Sequence, residues 1–192
     1  WLADVDLVEQ REDKTYGYRD PVLQVWVAYY YSGLQLTGMP SQKVLSNLVA
    51  ELMEKYERVA NELGLAKESQ VREFLQAFNG QEVDGRFFGV EGLVKLPVFE
   101  RVAPYLSPDG QVQVDSLAEN HERWAVEIKW RGRLSGKKEL EKLAANARSL
   151  SAKPWFISKL GFTQEALEFA RHSGMLLSSQ AELETLAKLV RD

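Results

Sequence analysis

The chain has 192 residues, of which 45% are hydrophobic and 27% charged, and its net charge is −4. This length and composition are typical of a globular protein that is long enough to form a real hydrophobic core. The excess of acidic residues argues against a non-specific nucleic-acid coat. A local basic groove remains compatible with it, because charges act mainly within a Debye length of about 8–10 Å.

The residue types that are scarce exclude several kinds of site. There is no cysteine, which excludes disulfides, thiol catalysis and cysteine-ligated zinc, and the two histidines are too few for a histidine-rich metal site. No apolar run approaches the ~20 residues of a membrane span and no signal peptide is recognisable, so we predict a cytoplasmic protein with no membrane partner. The chain begins at Trp1 rather than at Met, which suggests a fragment of a longer protein.

The first third of the chain predicts a hairpin followed by helices. Residues 6–10 and 15–19 are strand-like runs separated by the polar segment REDK, which is typical of a β-hairpin. The pair Asp20-Pro21 is a helix-start signal, and that helix is predicted to end near Gly33. The helical spacing of apolar residues predicts a second, long helix that begins after Ser41 and ends at Gly64, and then a shorter helix that ends at Asn79-Gly80.

The rest of the chain has the pattern of an α/β domain. Three strand candidates, at residues 94–102, 111–117 and 124–130, are separated by the turn signal SPDG and by the polar segment ENHER. A meander that is followed by β-α-β crossovers predicts a mixed sheet flanked by helices. The later candidates are a helix at about 136–150, a strand at 154–158, a helix at 163–172, a strand at 175–178 and a helix at 181–190.

The third strand candidate carries an unusual pair of charged residues. Side chains alternate along a strand, so Glu127 and Lys129 share one face of it. If this strand forms a hairpin with the preceding one, Asp115 and Glu127 lie near each other at the sheet edge. Two carboxylates there would bind a hard divalent cation such as Mg²⁺, and Lys129 would position or deprotonate water or offset phosphate charge. The alternative interpretation is a solvated cross-strand ion pair.

Two segments that carry this pattern resemble a known family. VDSLAENHERWAVEIKWRGR looks like the core of the PD-(D/E)xK restriction-endonuclease-like superfamily, with Asp115, Glu127 and Lys129 at its D…ExK positions. PWFISKLGFTQEALEFARHSGMLLS resembles the helix-strand unit of Mrr-type nuclease domains. The resemblance covers roughly residues 67–190, and it implies a restriction-endonuclease-like fold that cleaves DNA.

The resemblance also implies roles for individual residues. Asp115 and Glu127 would hold Mg²⁺ or Mn²⁺, and Lys129 would position water or stabilise charge. Glu68 is the best match to the acidic residue on the first helix of that family, with Glu73 as the alternative. The chain departs from the family pattern at two positions, because Val114 replaces the proline and Gln113 replaces a possible extra acidic ligand. These departures keep open a catalytically inactive module that binds DNA or regulates a partner.

Basic and aromatic residues surround the candidate strand. The tract that follows it contains four cations that we predict to bind DNA phosphates, although an ordinary solvated loop is an equally good interpretation. Trp124, Trp130 and Trp155 are able to stack on bases, but their places in core strands favour packing. The four candidate phosphate-binding residues are Arg131, Arg133, Lys137 and Lys138.

The N-terminal segment has a resemblance of its own. DLVEQREDKTYGYRDPVLQVW is similar to the wing hairpin and following helix of the winged-helix domain in archaeal-type AAA ATPases. That resemblance implies an upstream NTPase module as partner. We therefore predict three parts: the end of a winged helix at residues 1–33, a linker and connecting helix at 34–66, and a nuclease-like domain at 67–192. A homodimer is a further prediction, because nucleases of this fold often pair to cut both strands.

Overall fold

The structure is a computed structural model that describes residues 8–10, 16–18 and 42–191. It divides the chain into two compact units, Trp1–Glu54 and Lys55–Asp192. Within the described ranges, no helix is both long enough and apolar enough to cross a membrane.

The first unit contains the predicted hairpin. Strand β1 (Val8–Gln10) pairs antiparallel with β2 (Tyr16–Tyr18), which confirms a hairpin within residues 6–19. The helix predicted after Asp20-Pro21 lies outside the described residues, and so does Ser41, after which the long helix was predicted to begin. Most residues that resemble a winged helix lie outside them too, so the winged-helix and ATPase assignments stay predictions.

Helix α1 (Gln42–Gln76) is a single helix of 35 residues. The prediction that Gly64 ends one helix and that a separate helix follows was wrong. A glycine inside a helix costs only about 1 kcal/mol relative to alanine, and here Leu63, Leu65 and Ala66 are good helix formers that continue the helix past it. The continuous helix carries residues 67–76 directly to the core of the second unit.

A small hairpin separates α1 from the main sheet. Strand β3 (Glu82–Asp84) pairs antiparallel with β4 (Leu93–Lys95), and a 3₁₀ helix (Gly85–Phe88) lies between them. The prediction of one strand over residues 94–102 was wrong, because β4 ends at Lys95 and the next strand begins at Arg101. Pro97 lies between the two strands, and a proline has no N–H group with which to continue a ladder.

The main sheet has five strands and confirms the predicted mixed α/β fold. The first three strands are antiparallel neighbours, and the last two add in parallel, in the order β5-β6-β7-β8-β9. The elements in chain order are β5 (Arg101–Leu106), β6 (Gln113–Glu119), β7 (Arg123–Lys129), α2 (Lys137–Ser149), β8 (Lys153–Ser158), α3 (Gln164–Ser173), β9 (Leu176–Ser179) and α4 (Gln180–Arg191).

Two hydrophobic cores cover the two faces of this sheet. Trp124, Val126 and Ile128 alternate along β7 and belong to the core that includes the C-terminal end of α1 and residues of α4. The other face, which includes Ala125 of β7, packs against α2 and α3. Trp124 and Trp155 are fully buried, which confirms that they pack in the core. By alternation, Glu127 and Lys129 lie on the α2 side of the sheet.

Candidate active site

A bulge in β6 sets the position of Asp115. Ala103 of β5 pairs with Leu117, whereas Tyr105 pairs with Val114, so the single residue Pro104 lies opposite both Asp115 and Ser116. Two residues opposite one is the pattern of a β-bulge, which bends a strand and turns a side chain in a new direction. A proline on the facing strand fits this place, because it has no N–H to donate to the ladder.

The pairing between β6 and β7 ends just before the two acidic residues. Their last paired positions on this side are Ser116 and Val126, and Asp115 and Glu127 are the next residue on each strand. The Asp115 carboxylate bridges the gap, since its Oδ2 atom accepts the backbone N–H of Ile128 at 2.7 Å. The expected proximity of the two acids is therefore observed, but the sheet-edge location was wrong. β6 and β7 are interior strands, and the acids lie at an end of their pairing.

The ammonium group of Lys129 lies between the two carboxylates. Its Nζ atom is 3.7 Å from Oδ2 of Asp115, and it forms a hydrogen-bonded ion pair with Oε1 of Glu127. The three side chains are largely buried, with 15%, 18% and 29% of the Asp115, Glu127 and Lys129 side chains exposed. A solvated surface pair, which was the alternative interpretation, would show much greater exposure.

Burial and charge change the protonation of this cluster. Burial raises the pKa of Glu127, the negative charge of Asp115 raises it further, and the Lys129 ammonium only partly opposes these effects. The pKa of Lys129 is also raised: burial lowers it, but the carboxylates of Glu127 and Asp115 outweigh that effect. Lys129 is therefore a cation here, which suits charge stabilisation better than proton abstraction.

Helix α1 brings a third acid toward the cluster. Burial and then the charge of Asp115 raise the pKa of Glu68, while Arg72 and Lys129 act in the opposite direction. Glu68 thus lies within electrostatic range of the two strands. The alternative candidate, Glu73, is exposed. The geometry favours Glu68 over Glu73 as the helix acid.

Arg72 is a site residue that the sequence analysis missed. Its Nη1 atom donates a hydrogen bond to the backbone carbonyl of Asp115 at 3.1 Å and lies 3.8 Å from Oε2 of Glu68. The i,i+4 spacing of Glu68 and Arg72 would have predicted their ion pair. Nothing in the local sequence indicates the contact with Asp115, which joins residues 43 positions apart.

The chemistry of these side chains fits a divalent metal ion. Asp115 and Glu127 both turn an oxygen toward one cation, the Lys129 ammonium, and carboxylate oxygens suit Mg²⁺ or Mn²⁺. Among the described residues, however, no group of three or more Asp, Glu, His or Cys side chains is arranged to hold a metal. Asp115 and Glu127 would thus be the protein ligands, and Mg²⁺ usually keeps several waters or takes substrate phosphate oxygens.

The predicted phosphate-binding residues do not form one free basic surface. Arg131 pairs with Glu139 of α2, and Nη2 of Arg133 lies 3.8 Å from the same carboxylate. Lys137 lies 3.7 Å from Glu141 one turn further along α2. Lys138 is exposed, and so is most of the Arg133 side chain. The tract thus lies next to β7 as predicted, and Glu139 and Glu141 compensate part of its positive charge. DNA binding by the tract stays a prediction.

Comparison with known protein families gives a match within the second unit. Residues 99–187 match the sequence model of a restriction endonuclease family, Mrr_cat. The match includes Asp115, Glu127 and Lys129, and Glu68 lies before it. Residues 99–187 are therefore similar to a restriction endonuclease domain, in agreement with the resemblance noted in the sequence and with the mixed sheet.

Solved structures give more distant similarities. A crystal structure of a protein of unknown function, AF1548, is 17% identical with a TM-score of 0.46, over 64% of each chain. The DNA modification-dependent restriction endonuclease AspBHI is 12% identical with a TM-score of 0.37, over 87% of this chain and 44% of that one. The chain thus spans less than two thirds of either protein. No curated protein sequence matches it.

Proposed function

We propose that the chain is a DNA endonuclease that hydrolyses phosphodiester bonds with the help of Mg²⁺ or Mn²⁺. One observation carries the proposal: Asp115, Glu127 and Lys129 converge around one cation position where β6 and β7 separate, inside the segment that matches a restriction endonuclease family. The raised pKa of Glu127 supports the same interpretation, because two partly buried acids at close range favour a cation between them.

Each residue has a distinct role in this proposal. Asp115 and Glu127 hold the metal ion, which when bound supplies a Lewis acid and an activated water. Lys129, as a cation, stabilises the negative charge that develops on the phosphate. Glu68 would contact the metal ion through a water molecule, and Arg72 holds both Glu68 and the backbone of Asp115 in place.

The substrate class and the partners are part of the proposal. DNA is the substrate that a restriction-endonuclease-like domain suggests. A second copy of the chain would cut the other DNA strand. The association with an upstream NTPase module rests on the N-terminal resemblance alone, and the domain limits at residues 33, 66 and 67 are likewise inferences from the sequence.

The proposal is tested by incubating the 192-residue chain with supercoiled plasmid in Mg²⁺ or Mn²⁺. We expect nicking by the wild type and its loss in Asp115→Asn, Glu127→Gln and Lys129→Ala. Glu73→Gln is the matched control, since Glu73 is an exposed acid on the same helix as Glu68. Nicking that survives all three site changes would refute the assignment. Retained DNA binding without any nicking would instead indicate the inactive binding module.

A further inference from the structure

The three tryptophans of the second unit have different environments. Trp124 and Trp155 have no exposed surface and contact each other in the core. Trp130 follows Lys129 at the end of β7, is only partly buried, and lines a groove between α1 and α4. Packing in the core therefore accounts for the first two tryptophans and for the buried part of Trp130, whose remaining ring surface lines the groove.

The groove combines an apolar floor with a polar rim. Its volume is about 310 Å³, within the ~300–1,000 Å³ range of small-molecule sites. The rim carries two lysines that suit a phosphate, and a glutamine and a glutamate that suit the donor groups of a base edge. The floor consists of Val71, Phe74, Trp130, Leu183 and Ala187, and the rim of Lys67, Gln70, Glu184 and Lys188.

A flexible lysine covers the ring of Trp130. The Nζ atom of Lys67 lies 4.7 Å from the ring centroid and donates a hydrogen bond to Oε1 of Gln70 at 2.8 Å. Both contacts are made by long side chains at the groove rim, so they rearrange at little cost. A base stacked on a tryptophan gains more than an exposed ammonium over the same ring. The released Lys67 would remain close enough to contact a phosphate.

The groove adjoins the candidate active site along two separate elements. Trp130 is one residue beyond Lys129 on the chain, and successive residues of a strand are only about 3.3 Å apart. Lys67 precedes Glu68 on α1, and the charge of Lys129 acts on the Glu68 carboxyl. Trp130 lies on the α1 and α4 face of the sheet, opposite to Glu127 and Lys129, so a DNA strand whose phosphate lies at Asp115 and Glu127 would reach the groove around the C-terminal end of β7.

We infer that this groove is a nucleobase site, in which an unpaired base of the cleaved DNA strand stacks on Trp130. The inference rests on the proposed nuclease function and narrows its substrate to DNA with an unpaired nucleotide next to the cleaved bond, which a supercoiled plasmid exposes by transient local opening. A fully paired duplex keeps its bases stacked inside the helix and offers none to the groove. Gln70 and Glu184 would contact the base edge, with rearrangement of the hydrogen bonds that they now accept from Lys67 and Gln180.

The direct test is photo-cross-linking of the wild-type chain. A short single-stranded oligodeoxynucleotide that contains 5-iododeoxyuridine is bound in the presence of EDTA, irradiated, and the adduct is located by peptide mass spectrometry. We expect the adduct at Trp130. An adduct elsewhere, with DNA bound and Trp130 unmodified, would overturn the inference. This test needs no substitution, so it does not depend on how any variant folds.

Binding measurements give a second, independent test. Trp130→Ala, and Ala187→Phe, which fills the groove and keeps the tryptophan, should each weaken binding of the single-stranded probe about tenfold, or ~1.4 kcal/mol. Trp130→Phe should retain most of the affinity, and binding of a blunt duplex should not change in any variant. Equal losses on both probes would indicate a structural role and overturn the inference.

The outcomes separate this inference from the proposed function. If the wild type nicks plasmid while Trp130→Ala and Ala187→Phe bind the single-stranded probe normally, the nuclease proposal stands and the base site is refuted. If the wild type neither binds the probe nor nicks plasmid in Mg²⁺ or Mn²⁺, both are refuted.

Discussion

The carboxylate of Asp115 accepts the backbone N–H of Ile128 at 2.7 Å, just beyond the last paired positions of β6 and β7. One side chain thus joins two strands that have begun to separate, and it also turns an oxygen toward the Lys129 ammonium. The bulge opposite Pro104 makes this double role possible, because it directs Asp115 into the gap. The stability of the fold and the proposed metal binding thus depend on the same carboxyl group, and suitable substitutions of Asp115 separate the two effects.

Substitutions at Asp115 should distinguish its structural and chemical roles. Asp115→Asn keeps an oxygen that accepts the Ile128 N–H, whereas Asp115→Ala leaves that buried donor unpaired at a cost of about 1–3 kcal/mol. We expect both variants to lose Mg²⁺ binding and nicking, but only Asp115→Ala to lose this much free energy of unfolding. Urea denaturation and calorimetric Mg²⁺ titration measure the two effects. An equally destabilised Asp115→Asn would show that the hydrogen bond is not what stabilises the fold there.

The Lys129 ammonium and a divalent metal ion should neutralise the same two carboxylates. Lys129→Met removes the cation from two partly buried acids, so we expect a loss of stability smaller than the ~3–5 kcal/mol measured for breaking fully buried pairs. Because a divalent ion replaces the missing charge, Mg²⁺ should raise the melting temperature of Lys129→Met more than that of the wild type. Thermal denaturation with Mg²⁺ or with EDTA tests this. Equal shifts in the two proteins would argue against a shared cation position.

Arg72 should act as a positioning residue. Without its contacts with the Asp115 carbonyl and with Glu68, we expect Arg72→Gln to lower kcat and Mg²⁺ affinity about tenfold, ~1.4 kcal/mol, with KM for DNA nearly unchanged. Arg72→Lys should restore part of the activity, since it keeps the charge but not the forked geometry. The matched control is Arg58→Gln, an exposed arginine on the same helix. A change in KM alone would instead indicate that Arg72 contacts DNA.

The sequence predicted the local parts of this structure better than the long-range ones. The alternation in β7 placed Glu127 and Lys129 on one face, and turn signals located the hairpin that brings Asp115 to them. The bulge at Asp115 was not predictable, because it depends on which residue of β5 lies opposite. The predicted helix end at Gly64 was wrong because a local signal was given too much weight. Glycine is only a weak helix breaker, and the helix formers around Gly64 outweigh it.

The ion pairs of the basic tract give a prediction on pH. Burial raises the pKa of Glu139, but the Arg131 hydrogen bond and charge, the Gly136 N–H and the charge of Arg133 together lower it below the usual 4.5. Because the folded-state pKa is lowered, the stabilisation is fully present above pH ~4.5 and disappears as pH falls through the folded-state value. We expect the wild type to exceed Glu139→Gln in free energy of unfolding at neutral pH and to lose this advantage on acidification. Urea denaturation across that range measures it, with the exposed Glu165→Gln as control. A difference that stays constant with pH would show that Glu139 acts through packing and not through its charge.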